Sequence, residues 1–389
     1  MTSTRGCRGR WALAVVLASV LIAGGAADAQ PKSYRFGAVL PLTGNGATAG
    51  EWMRKGTELA VAEINAKGGI DGVPLEAVFE DSQTLARAGV SAITKLVTVD
   101  RVPFVHTAYT GITLAMVPIA EKNKIVLMNG GGVSPRLGGA SPMLFNQIPL
   151  GDFQFAVLAR YVRDDLKLDR VAIIYRNDDY GDGMVEWARR ELPRIRLNLV
   201  GAESFEFGSQ DFRSQLAKLR ATNPTGIFVV AAGLEQANIL KQAAEMGLKV
   251  TWLGFTPFES RDIAQIAAVP AEGSRYTMPE AVGPRYEALL AAFTARYKMA
   301  QPDYLVAGYY DSTEIFANAL RYARGKGWEY SGDSIRKALL EMPPYEGIFG
   351  KTQFAADGTV RKSISIKTFR GGKPAVVKTF SLDEILRMQ

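Results

Sequence analysis

Asp178-Asp179-Tyr180-Gly181 and Gly130-Gly131-Gly132 are the segments whose residue types and spacing suit capture of a small polar molecule. Each follows a short apolar run, where an open α/β sheet offers its strand ends to ligands. Asp178 or Asp179 suits a helix N-cap, placing Tyr180 to cover a ligand. The three glycines permit close backbone approach and equally suit a plain turn. Gly44-Asn45-Gly46-Ala47-Thr48-Ala49-Gly50 opens a helix, but its spacing is one residue too long for a dinucleotide fingerprint. Its first N–H groups would suit a carboxylate instead. His106, the only histidine, ends another apolar run. One histidine cannot make a His-rich metal site, and no G-x-S-x-G elbow accompanies it. It reads as a paired polar residue near the crevice, with a ligand contact as the alternative. Tyr322 and Lys326 have the spacing of a dehydrogenase pair, but Gly325 between them disfavours a helix and no cofactor fingerprint supports it. No arrangement points to catalysis, and no cofactor is expected. Trp52, Tyr109, Phe255 and Tyr304 also lie near predicted loops, where each alone suits packing as well as ligand contact.

The elements that must position these residues alternate. Apolar runs at 34–40, 75–79, 102–105 and 125–128 read as strands. Between them, residues 53–67, 86–97 and 112–123 carry apolar side chains at helical spacing. The pattern restarts with helix 153–166, strand 170–175, helix 181–192, strand 196–204 and helix 210–221. Strand 227–230, helix 234–246 and strand 250–253 follow. Such alternation predicts right-handed βαβ units and two successive parallel sheets. After Pro279 the character changes to helices near 284–299, 303–324 and 332–341, then short strands near 346–354, 364–369 and 375–380.

Composition narrows the classes. Arg5, Arg8 and Arg10 precede an apolar run at 11–22, and Ala27-Asp28-Ala29 supplies small residues for cleavage. That order predicts a secretory signal over residues 1–29, and hence export. Cys7 lies inside it, so the mature chain has no thiol and no disulfide framework. The signal holds three arginines and one aspartate; without it the net charge falls from +7 to +5. The charges are dispersed, so no nucleic-acid partner is expected. With 47% hydrophobic residues, the remaining chain is long enough for two domains.

Leu40-Pro41-Leu42-Thr43-Gly44, Glu63-Ile64-Asn65-Ala66-Lys67-Gly68-Gly69-Ile70 and Asp178-Asp179-Tyr180-Gly181-Asp182-Gly183, in this spacing, resemble type I periplasmic binding proteins of the leucine/isoleucine/valine-binding family. The resemblance implies an α/β protein of two Rossmann-like lobes with central parallel sheets, joined by a three-segment hinge near 149–151, 277–279 and 358–360. Lobe one would take 30–149 and 279–358, and lobe two 150–278 and 359–389. It also implies a periplasmic monomer that traps a small molecule by hinge closure and delivers it to the membrane permease of an ABC importer. A ligand-sensing receptor domain for a signalling partner is the alternative.

Carried over residue by residue, the family's carboxylate grip falls on Thr110, with backbone groups at Gly131, Gly132 and Val133. Tyr180 would close from the second lobe with the 254–256 loop, including Phe255 and Thr256; Tyr109 and Tyr304 complete the candidates. Three positions depart from the pattern. A first-loop aromatic aligns with Ala49, a hydroxyl residue with Val133, and the glutamate that pairs the ligand's ammonium with Thr256. An unpaired buried ammonium costs about 3–5 kcal/mol, or two to three orders of magnitude in affinity. The expected ligand is therefore a small amino acid if Glu259 takes over that pairing, and otherwise an organic carboxylate, aromatic or branched, without an α-amino group.

Overall fold

The computed structural model describes residues 1–2, 31–279, 281, 283–299 and 301–388. The secretory reading of residues 1–29, with Cys7, falls almost wholly outside these.

The first five strands are short runs of small and branched apolar residues, as strands covered on both faces require. They are β1 (Tyr34–Leu40), β2 (Leu75–Asp81), β3 (Phe104–Thr107), β4 (Val126–Asn129) and β5 (Leu144–Asn146). All pair in parallel, in the order β2-β1-β3-β4-β5. Helices α1 (Ala47–Ala66), α2 (Ala86–Lys95) and α3 (Thr110–Asn123) make the crossovers. Helix α1 begins well before the predicted 53, because the Gly-rich loop tightens into a 3-10 turn that runs directly into it.

The second sheet begins after α4 (Gly151–Asp164). It contains β6 (Arg170–Arg176), β7 (Asn198–Phe205), β8 (Gly226–Val230), β9 (Thr251–Gly254) and β10 (Arg275–Met278). Helices α5 (Asp179–Glu191), α6 (Arg213–Ala221), α7 (Gly233–Glu245) and α8 (Arg261–Ile266) connect them. Strands β5 and β10 and helix α8 were not foreseen, being too short to show a period.

The closing section supplies α9 (Pro284–Tyr297), α10 (Tyr304–Gly325) and α11 (Gly332–Glu341). A small hairpin of β11 (Tyr345–Gly347) and β12 (Gly350–Thr352) follows, then β13 (Ile364–Arg370), β14 (Lys373–Phe380) and α12 (Leu382–Met388). β13 and β14 extend the second sheet as an antiparallel edge, in the order β14-β13-β10-β9-β8-β6-β7. That sheet is therefore mixed, its central strands parallel. Helix α10 packs along α1 and rejoins the first sheet. The approach is close enough that a Cβ on Gly56 would lie 2.3 Å from Val306 O, so only glycine fits there. The described chain thus passes between the sheets at 147–150, at 279–283 and at 353–363. The third pass lies against the first, where Asn146 N–H donates to Gly358 O at 2.7 Å.

Candidate functional site

The carboxyl ends of β1, β3 and β4 face those of β6, β7 and β8 across a cavity of about 600 Å³. That is the size and place expected of a small-molecule site in this architecture. The two sheets' loops already touch around it. Tyr109 meets Phe207 with ring centroids 6.5 Å apart, and Arg136 Nη1 reaches Asp179 Oδ1 at 2.9 Å.

On the first sheet's side, β3 ends and the chain turns sharply into α3. Tyr109 makes that turn with φ 63° and ψ 135°, a region that costs a bulky residue about 1–3 kcal/mol. The strained turn brings Tyr109 and Thr110 to the cavity wall. α3 has no side-chain cap, so its first N–H groups and dipole are available to an anion. Thr110 Oγ1 is buried and has no hydrogen-bond partner. Gly131, Gly132 and Val133 also line the wall. The N–H groups of both glycines, however, donate to Asn129 Oδ1, at 3.2 and 2.7 Å, and Val133 O accepts from Gly151 N–H. These glycines shape the wall, and Asn129 takes their donors.

On the second sheet's side, Asp178 caps α5, its Oδ1 accepting from Tyr180 N–H and Gly181 N–H. A Cβ on Gly181 would fall 1.8 Å from Arg176 O, which explains the glycine that follows Tyr180 in the motif. Tyr180 reaches the cavity wall, and its hydroxyl is buried without a partner. Beside it lies Arg176, its side chain only 4% exposed. Arg176 Nε donates to Asp178 Oδ2 at 2.6 Å, and Nη1 stands 3.5 Å from Glu235 Oε2. The guanidinium lies 4.5 Å from the Phe207 ring centroid and 5.8 Å from those of Tyr109 and Tyr180. Glu235 Oε1 accepts from Gly208 N–H at 2.7 Å. Burial pushes the Glu235 carboxyl above its usual range, against the pull of Arg176.

The closing section completes the wall with Asp303, Tyr304 and Leu305. Asp303 caps α10, accepting from Leu305 N–H and Arg261 N–H, and burial raises its pKa to about 6. The Arg261 guanidinium stands 5.1 Å over the Trp52 ring. Asp262, half-buried, also has its carboxyl raised by burial. Arg176 and Arg261 thus face Glu235, Asp262 and Asp303 across the cavity, a formal surplus of one negative charge. Among the described residues no His, Cys, Asp and Glu cluster is arranged for a metal.

The structure therefore brings Tyr109, Thr110, Gly131, Gly132, Val133, Tyr180 and Tyr304 to one cavity. It places Phe255 and Thr256 elsewhere. Phe255 is 1% exposed and packs on Phe155 and Phe228 beneath the sheet, because β9 ends one turn short of the cavity. Thr256 gives both its N–H and its hydroxyl to Gln154 Oε1. Glu259 is held by Lys367 at 2.6 Å and by Tyr276 Oη, away from the wall. His106 lies fully buried against Phe36, Phe104 and Tyr309, its pKa lowered to about 3 by burial; Nε2 meets Thr313 Oγ1, while Nδ1 has no partner. Arg176, Phe207, Glu235, Asp262 and Asp303 are wall residues that sequence reasoning missed. The available signal was an arginine ending β6 and a glutamate three residues past β8, both at strand ends.

Comparison with known proteins places these features in context. The family described as "Periplasmic binding protein" matches residues 33–373. A Leu/Ile/Val-binding protein homolog 2 of Brucella abortus is 27% identical over 351 residues, covering 88% of this chain and 91% of the relative. The branched-chain amino acid transporter substrate-binding protein LivJ of Streptococcus pneumoniae, solved with isoleucine, superposes with a TM-score of 0.79. It is 29% identical, over 89% of this chain and 100% of that one. A solute-binding protein of an ABC transporter from R. palustris, solved with benzoate, has a TM-score of 0.81 at 17% identity, over 90% of this chain and 96% of that one.

Proposed function

This chain belongs to the periplasmic binding protein family, and from that premise we propose that it is the periplasmic substrate-binding component of an ABC importer for a small carboxylate-bearing metabolite. The lobes would be residues 30–149 with 279–358, and 150–278 with 359–389, hinged where the chain passes between its sheets. A ligand that bridges both lobes favours the closed form by its extra contacts there.

The observation that carries this reading is a pair of buried hydroxyls without partners, on opposite lobes, at one cavity. Thr110 Oγ1 comes from the first sheet's side and Tyr180 Oη from the second's. Each unpartnered buried hydroxyl costs about 1–3 kcal/mol. A carboxylate, accepting from both and lying at the start of α3, recovers that cost only when the lobes are together. The aromatic rings of Trp52, Tyr109, Tyr180, Phe207 and Tyr304 suit an apolar remainder of the ligand. The net cationic, soluble mature chain would then meet the permease as a monomer.

A thermal-shift panel of small carboxylates tests the reading. A true ligand at a hundredfold excess over Kd stabilises the fold by about 2.7 kcal/mol. Tyr180→Phe keeps the ring and is expected to weaken that ligand about tenfold by calorimetry, the worth of one hydrogen bond to a charged group. Unchanged affinity would remove Tyr180 from the site; no response to any carboxylate would remove the function.

A further inference from the structure

The position that the family resemblance assigns to an ammonium-pairing glutamate is Thr256, and Thr256 is turned away from the cavity onto Gln154. We infer that Glu235, from the loop after β8, supplies that pairing, so that the ligand carries a protonated amine beside its carboxylate. The inference rests on the carboxylate site above and adds its specificity.

Three carboxylates line the cavity, and their surroundings separate them. Asp303 has spent both oxygens on Leu305 N–H and Arg261 N–H. Asp262 is half open to solvent, where pairing is worth little. Glu235 is 6% exposed, held in place through Oε1 by Gly208 N–H, while Oε2 accepts no hydrogen bond. Its only charged neighbour there is Arg176 at 3.5 Å, and Arg176 is shared with Asp178. Two carboxylates around one guanidinium leave one negative charge over, and a ligand ammonium brings the group to neutrality. Ser260 Oγ, also on the wall, buried and without a partner, is a further polar atom for the amine. A carboxylate ligand without an amine would instead add a second negative charge to a wall already carrying one. Arg176 acts here as a positioning residue, holding Glu235 and Asp178 to one geometry.

The test is calorimetry with matched pairs of acids: leucine and 4-methylpentanoate, phenylalanine and 3-phenylpropanoate, alanine and propanoate. For the best pair, wild-type protein is expected to prefer the amino acid roughly a hundredfold. Glu235→Gln, which preserves shape and the acceptor for Gly208, is expected to erase most of that preference by weakening the amino acid alone. Equal affinity for both members in wild type overturns the inference, and needs no variant. Equal weakening of both members by Glu235→Gln, or loss of preference in Asp262→Asn instead, also overturns it. If no member of any pair binds, the carboxylate reading itself falls.

Discussion

Arg176→Met is expected to lower stability by about 3–5 kcal/mol at neutral pH, and to do so less as the solution is acidified. Removing one partner from a buried ionic group leaves the other uncompensated, and that stranded charge sets the magnitude. Methionine keeps most of the stem's packing on Phe207, so the loss is chiefly electrostatic. Asp178 retains the N–H groups of Tyr180 and Gly181. Glu235 retains only Gly208 N–H, and burial already raises its carboxyl. A carboxyl whose folded pKa lies above its unfolded value of about 4.3 favours folding below that value, and that favour is lost as pH rises through the folded pKa. The guanidinium restrains this rise in wild type, so the variant's folded pKa is higher still. The deficit is therefore greatest near pH 7 and shrinks as pH falls through the variant's raised Glu235 pKa toward 4. Urea unfolding of both proteins at pH 7 and pH 4.5 measures it. A deficit under about 1 kcal/mol, or one equal at both pH values, would show that Arg176 and Glu235 are not electrostatically coupled.

Much of this arrangement was legible in the sequence, and the exceptions share a cause. Apolar periodicity marked most strands because their runs are covered on both faces, as in the wholly buried Gly226–Val230. The Asp178-Asp179-Tyr180-Gly181 motif could be read locally, since a cap, an exposed ring edge and a tight glycine are all set within four residues. Tyr109 and Thr110 were legible as the end of a strand. Arg176 was not, because a charged residue at a strand's end gives no sign of whether it faces solvent or aromatic rings from three loops. Glu235 was missed for the same reason: its value depends on Arg176 and Gly208, both remote in sequence. Phe255 and Thr256 show the opposite failure. Position after a strand suggested the cavity, but the direction of a side chain there depends on the final turn of backbone, which composition does not reveal.

Thr256 instead belongs to a polar hub whose removal is expected to be as costly. Gln154 Oε1 accepts from Thr256 N–H at 3.2 Å, Thr256 Oγ1 at 2.9 Å and Thr277 Oγ1 at 3.0 Å, while its Nε2 donates to Pro149 O at 2.7 Å. Gln154, Thr256 and Thr277 are all buried, so water cannot replace these bonds. Gln154→Leu fills nearly the same space yet strands three donors and one acceptor, each costing about 1–3 kcal/mol, with a total of roughly 3–6 kcal/mol once relaxation is allowed. The hub also sits where the chain leaves the first sheet, at 147–150, and where it leaves the second, just past Thr277. Loss of those bonds should thus loosen both passes together. Urea unfolding is expected to show a lower midpoint with an unchanged slope. The decisive comparison adds Thr256→Val and Thr277→Val to the leucine variant. Replacing donors and acceptor alike by apolar groups removes two of the stranded hydroxyls, so the triple variant should recover part of the loss. If it is instead less stable than Gln154→Leu alone, packing around the threonines rather than their hydrogen bonds holds this junction.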